Sequence, residues 1–257
     1  MLKPLFGFSS HLRGSAILPR VLPAGAYPQL HKGKTKMQKK EKALLIIERL
    51  KEFYPESTCA LEYEGDPWKL FVMARLSAQC TDARVNIVCR DLFKKYPDAK
   101  AMADADITEL EDAVRPCGLF KTKAAQLKAS CGILVEKYGG EIPSDMDELL
   151  ALPGVGRKIA NLLRGDIFKL GGVVADTHCI RISGKLGLSP KGEKDATKVE
   201  KALDPLIPKA EQSDFCHRIV NFGRDVCSAR SPQCSSCPLS DLCAEFNAKN
   251  NASKGTK

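Results

Sequence analysis

Two groups of residues in this 257-residue chain could do chemistry: a lysine at a glycine turn and a set of four cysteines. The lysine is Lys158, in Leu152-Pro153-Gly154-Val155-Gly156-Arg157-Lys158-Ile159-Ala160. Gly154 and Gly156 predict a tight turn that no side chain obstructs, so backbone can approach a ligand closely. A helix predicted from Arg157 through Ile159, Leu162 and Leu163 leaves unpaired N–H groups and partial positive charge at that turn. Such an end suits a phosphate oxygen. A short helix over about residues 146–151 precedes it, so the motif is helix–hairpin–helix. A hairpin of this kind can serve simply to grip DNA backbone, with Gly154, Gly156 and Arg157 as contacts. Lys158 suggests more. The helix dipole and the neighbouring Arg157 both disfavour a second ammonium there, which makes Lys158 a nucleophile candidate.

The cysteines are Cys227, Cys234, Cys237 and Cys243, separated by six, two and five residues. Close thiols in a reducing compartment read as metal thiolates. Structural zinc and an iron–sulfur cluster both suit this donor set, and Pro232 and Pro238 restrict the loop without deciding between them. The other seven cysteines (Cys59, Cys80, Cys89, Cys117, Cys131, Cys179 and Cys216) are scattered singly through helical patterns, as buried thiols are. An odd total and no secretory signal argue for a reducing intracellular compartment.

The elements that must position these groups read as helices. Ala43, Ile47, Leu50 and Tyr54 recur at helical spacing until Pro55. Asp66-Pro67 is an N-cap with proline at the first helical position, opening an apolar helix through Trp68, Phe71, Val72 and Leu76. Further helices are predicted at about 82–95, 106–115, 121–138, 176–186, 195–206 and 211–226. Phe215, Ile219, Phe222 and Val226 share one face of the last, which delivers Cys227 to its site. Strand-like alternation occurs only briefly, over residues 171–175. The predicted class is all-α.

Net charge is +9, but eight basic residues and no acid lie in residues 1–40, leaving +1 for the rest. A DNA-binding face must therefore come from local arrangement rather than bulk charge. No apolar run approaches the length of a membrane span, which predicts a soluble protein. Residues 1–36 are rich in Pro, Gly, Ser and basic residues without periodicity, and read as a disordered tail. Their composition also fits a mitochondrial transit peptide, but Pro4, Gly7, Pro19, Pro23 and Pro28 make a poor amphipathic helix. Met37 stands directly before a good helix, so an over-extended start and a bacterial-type cytoplasmic protein are preferred.

With the hairpin, Lys158, and Val174-Ala175-Asp176-Thr177-His178 placed 18 residues beyond that lysine, the chain resembles the endonuclease III family of helix–hairpin–helix DNA glycosylases. The resemblance runs from about Lys42 to Phe246 and includes the cysteine spacing. It implies a [4Fe–4S] cluster on Cys227, Cys234, Cys237 and Cys243. It implies two helical domains: a hairpin-containing barrel over residues 60–170, and a cluster domain from residues 37–59 plus 171–249. The active site is expected in the cleft between them. Lys158 matches the nucleophile that attacks sugar C1′ and forms a Schiff base. Asp176 matches the catalytic aspartate, while its residue type and place also make it an N-cap. Negative charge near C1′ would stabilise an oxocarbenium-like transition state. Gln79 and Leu119 match residues that fill the gap left by a flipped nucleotide, since C1′ is inaccessible within a stacked duplex. Asp82 matches a residue near the base pocket and reads equally as an N-cap. His178 and His217 read as structural.

The implied function is a bifunctional DNA N-glycosylase and abasic-site lyase of base excision repair. It is expected to act as a monomer on double-stranded DNA carrying damaged bases or abasic sites, with oxidised pyrimidines as substrates. Two departures stand out. Cys80 replaces the family's usual alanine beside Gln79, and the loop between the first two cluster cysteines has a single basic residue, Arg230, expected to touch phosphate. An adenine mismatch glycosylase is the first rival, but that branch lacks a lysine at position 158 and adds a C-terminal domain. A non-catalytic DNA clamp is the second, and it needs neither Lys158 nor Asp176.

Overall fold

A computed structural model gives the fold and describes residues 37–254 apart from residue 57. The expected tail, residues 1–36, lies outside the described residues. The described residues contain helices and no strand. They run α1 (Lys39–Phe53), α2 (Pro67–Leu76), α3 (Asp82–Lys95), α4 (Ala99–Asp104), α5 (Ile107–Val114) and α6 (Phe120–Tyr138). After these come α7 (Met146–Leu150), α8 (Arg157–Asp166), α9 (Thr177–Leu186), α10 (Ala196–Leu203), α11 (Gln212–Asp225) and α12 (Ala244–Lys254). None of them is long and apolar enough to cross a membrane. The alternation over residues 171–175 is extended chain without a partner strand.

Short polar side chains set most helix starts. Asp66, Asp98, Asp106, Asp145, Asp176 and Asp195 each accept backbone N–H groups of the helix they open. Each such cap contributes about 1 kcal/mol. Thr81 caps α3, so Asp82 is the first helical residue rather than the cap its type suggested. Two helices were absent from the sequence reading. The six-residue α4 is too short for periodicity to register, and the Lys128 ammonium of α6 holds its end through Ala103 O and Ala105 O, both at 2.6 Å. The other, α12, is a polar helix with a weak apolar face.

The buried apolar residues form two clusters. One gathers α2, α3, α5, α6 and the α7–α8 hairpin around Leu70, Phe71, Leu127 and Leu163. The other joins α1, through Ala43, Ile46 and Leu50, to α9, α10, α11, Leu239 and Leu242. The chain's first described helix thus packs against its last hundred residues. Arg49 of α1 reaches the cysteine-bearing segment, donating to Pro238 O and Asp241 Oδ2 at 2.9 Å each.

The two clusters meet along α8 and α11. The Asp166 carboxylate at the end of α8 is buried, with His217 Nε2 of α11 at 3.0 Å from both its oxygens. Ser213 donates to the same carboxylate. Asn161 Nδ2 donates to Val173 O at 3.0 Å, and Arg224 of α11 pairs with Asp82 of α3 at 3.3 Å. These polar ties fix the helix that carries Lys158 against the helix that leads into the cysteines.

Candidate active site and cysteine centre

The hairpin turn is built on Gly154, whose φ of +80° is costly for any residue with a Cβ. A Cβ there would also run into the Arg75 guanidinium and the Gln126 side chain. Behind the turn, Ser130 Oγ donates to Pro153 O at 2.8 Å. Gly156 is different. Its backbone is extended (φ −103°, ψ 175°), and open space faces the position of a Cβ. The turn conformation therefore requires one glycine rather than two, and the second leaves the start of α8 unobstructed. No side chain caps α8, unlike the helices opened by aspartates. Its first N–H groups remain available to a ligand.

Lys158, in the first turn of α8, is exposed and makes no hydrogen bond or ion pair among the described residues. It lines a cleft with Ser77, Asp82, Asp176, His178 and Asn221. Ser77, Asp82 and Lys158 come from the side of the first cluster, the others from the side of the second. Asp176 commits Oδ1 to the N–H of Cys179 at 2.7 Å, capping α9. Its other oxygen has no hydrogen-bond partner among the described residues, and Asp176 lines the cleft. His178 accepts at Nδ1 from Arg181 (3.3 Å), and burial chiefly, with Arg181 and Arg224 adding to it, holds its pKa below 6.5. Cys59, Asp166 and His217 place a thiol, a carboxylate and an imidazole within 4.8 Å of one another, and Cys59 and His217 line the cleft. Burial, opposed by the Leu61 backbone and aided by Asp166, pushes the Cys59 thiol up to about 12.

Arg157 is redirected. Its guanidinium pairs with Glu200 of α10 through Nε at 3.0 Å and through Nη2, and this pairing raises its pKa. It lines a separate cavity with Asn161, Arg164 and Asp204. Successive helical residues point about 100° apart, so Arg157 faces α10 while Lys158 faces the cleft. Arg157, expected as a contact to DNA, thus makes an ion pair with Glu200 while 41% of its side chain stays in solvent. Glu200 lies 43 residues away, and nothing local in the sequence signalled it.

Gln79 and Leu119 stand exposed on two loops, each with left-handed backbone at φ 54° and 48°. Leu119 leaves 57% of its surface in solvent. Gln79 follows Ser77 of the cleft wall by two residues. Arg230 is exposed on the loop after Cys227.

Cys227, Cys234, Cys237 and Cys243 line one pocket with the apolar Ile182, Leu186 and Phe222, and none forms a disulfide. Leu239 N–H donates to Cys237 Sγ at 3.4 Å, and Arg181 Nη1 approaches Cys227 Sγ at 3.8 Å. Burial pushes the Cys237 thiol up to about 12 and raises that of Cys227. Four unlinked sulfurs lining one largely apolar pocket, with N–H donors aimed at two of them, fit a thiolate-bound iron–sulfur cluster.

Residues 72–209 match the HhH-GPD superfamily of base excision DNA repair proteins. Residues 227–243, which begin and end on cluster cysteines, match the iron–sulfur binding domain of endonuclease III. Endonuclease III of Synechocystis is 44% identical over 211 residues, 82% of this chain and 95% of that protein. The Escherichia coli K12 protein is 35% identical over 210 residues, 82% and 98% of the respective chains. The chain belongs to the endonuclease III family. With that membership go an all-α fold, base excision repair as a DNA glycosylase and abasic-site lyase, and a [4Fe–4S] cofactor. A non-covalent endonuclease III–DNA complex superimposes with a TM-score of 0.76 at 40% identity, covering 84% of this chain and all of that one. A trapped endonuclease III–DNA covalent intermediate gives 0.76 at 40% identity, over 83% of this chain and all of that one.

Proposed function

We propose that this family member removes oxidised pyrimidines from duplex DNA and nicks the resulting abasic site, with Lys158 as nucleophile and Asp176 as its charged partner. The observation that carries the reading is that both side chains line one cleft between the two apolar clusters. The flanking residues supply what the chemistry needs. The uncapped start of α8 and the open space at Gly156 suit a phosphate beside the lesion. Gln79 and Leu119 enter the duplex where the nucleotide leaves it. The amine of Lys158 then bonds to C1′ as the glycosidic bond breaks, and the departing base takes up a proton. Ring opening yields a Schiff base, and loss of a C2′ proton expels the 3′ phosphate. The carboxylate of Asp176 offsets positive charge developing on the sugar.

Cys227, Cys234, Cys237 and Cys243 hold the cluster in this reading, which cross-links the C-terminal segment and is redox-capable. The protein acts as a monomer on DNA in a bacterial-type cytoplasm, a reading supported by the bacterial relatives. Labelled duplexes carrying thymine glycol, uracil, 8-oxoguanine opposite cytosine, adenine opposite 8-oxoguanine, or an abasic site test it. Cleavage is expected at thymine glycol and abasic sites. Processing confined to adenine opposite 8-oxoguanine would overturn it.

A further inference from the structure

The connection from α1 to α2 brings a thiol to the place where the two apolar clusters meet. Cys59 of that connection, Asp166 at the end of α8 and His217 of α11 each offer one ligand atom. These three atoms lie within 4.8 Å of one another. Asp166 is only 7% exposed, with Ser213 and His217 as its hydrogen-bond partners. Among the described residues no Lys or Arg pairs with it, and His217 is its one ion-pair partner. A buried carboxylate so placed favours an added positive charge. The His–Asp hydrogen bond accounts for two of the three groups and leaves the thiol, delivered by a third segment, without a role. Sulfur, imidazole and carboxylate are together the ligand types of zinc, whereas magnesium and calcium take oxygen. Around a tetrahedral zinc the ligand atoms stand about 3.4 Å apart, so closing on the ion asks for shifts of about 1 Å.

We propose that Cys59, Asp166 and His217 bind one zinc ion, which fastens the α1–α2 connection to both halves of the molecule. As the Zn–S bond forms, the Cys59 thiol releases its proton to solvent. The cation itself offsets the burial that otherwise keeps this thiol protonated. Thiolate and carboxylate then balance the ion's two charges, and His217 adds a neutral nitrogen. Cys59 and His217 line the cleft, so water can take the fourth position. Helix α8 belongs to the first apolar cluster and α11 to the second, so the ion bridges the seam between them. The site uses neither Lys158 nor Asp176 and stands apart from the lyase reading.

The test adds zinc sulfate to reduced holoenzyme, removes unbound metal by gel filtration, and counts zinc and iron per chain. X-ray absorption at the zinc edge then reads the ligands. The expected result is one zinc per chain with iron content unchanged. Its shell should hold one sulfur at about 2.3 Å and nitrogen or oxygen at about 2.0 Å. Millimolar magnesium should not displace it. Saturating zinc should raise the melting temperature by roughly 5 °C, because the assembled site exists only in the folded chain. Cys59→Ala should bind zinc about tenfold more weakly or worse and lose that rise. This variant removes one ligand and leaves the buried Asp166 with both Ser213 and His217. The proposal is overturned if no zinc is retained, if zinc displaces iron, or if its shell holds two or more sulfurs. Binding by Cys59→Ala as tight as wild type would overturn it as well. Failure of borohydride trapping would count against the lyase reading and leave this site as it is.

Discussion

One oxygen of Asp176 caps α9 and the residue also lines the cleft, so capping and catalysis can be separated by a single substitution. Asparagine caps about as well as aspartate, so Asp176→Asn should leave the melting temperature nearly unchanged. Loss of the charge should slow excision by roughly 10²-fold or more, several kcal/mol of transition-state stabilisation. Duplex binding should hold or improve, because a negative charge near phosphate has been removed. A large fall in melting temperature with excision intact would make Asp176 a cap and nothing more. His178 gives a pH test. Its pKa lies below 6.5 in the folded protein, chiefly through burial. The unfolded chain therefore binds more protons between the two values. The stability this neutral imidazole supports is complete above pH 6.5 and falls as pH drops through the lowered folded value. Melting curves of wild type and His178→Gln should diverge below about pH 6.5, with the wild type losing more.

The hairpin sets two glycines against each other. Gly154→Ala must hold an alanine at φ +80° against Arg75 and Gln126, and should destabilise the fold by about 1–3 kcal/mol. Gly156→Ala meets neither strain nor contact. It should melt like wild type and weaken binding to DNA, since the added methyl stands where phosphate approaches. Equal effects on melting would contradict this division. At this scale the sequence was read well where local signals are strong. The range expected at 82–95 is α3, and helix starts with aspartate or threonine before them were found within a residue or two, the short α4 behind Asp98 excepted. What escaped depends on distant partners. Arg157 is a surface cation until Glu200 of α10 arrives beside it, and the equal reading of the two glycines could not see Arg75 and Gln126 behind one of them.

The whole molecule works as two apolar clusters clamped along α8 and α11, with the cysteine centre at the far end of α11. Lys158 and the sulfurs are thus linked by the packing of one helix on another, through Asp166 and His217. Ligation of a cluster contributes to folding, so Cys237→Ser should lower iron content, yield and melting temperature together. Stoichiometric zinc and no iron in protein made anaerobically with ample iron would contradict the iron–sulfur assignment. The site was legible as a list of residues, through Lys158, Asp176 and the cysteine spacing. That Lys158 and Asp176 line one cleft was legible only through the family resemblance, because from the residues alone it depends on how α9 and α11 pack against α8. The central claim concerns that pair, and borohydride trapping tests it most directly. Wild-type protein mixed with lesion-bearing duplex and borohydride should give a covalent protein–DNA adduct. Lys158→Gln should keep duplex binding and lose both adduct and strand cleavage, because the hairpin remains and the amine does not. An adduct formed by Lys158→Gln at wild-type yield would contradict the account and place the nucleophile elsewhere.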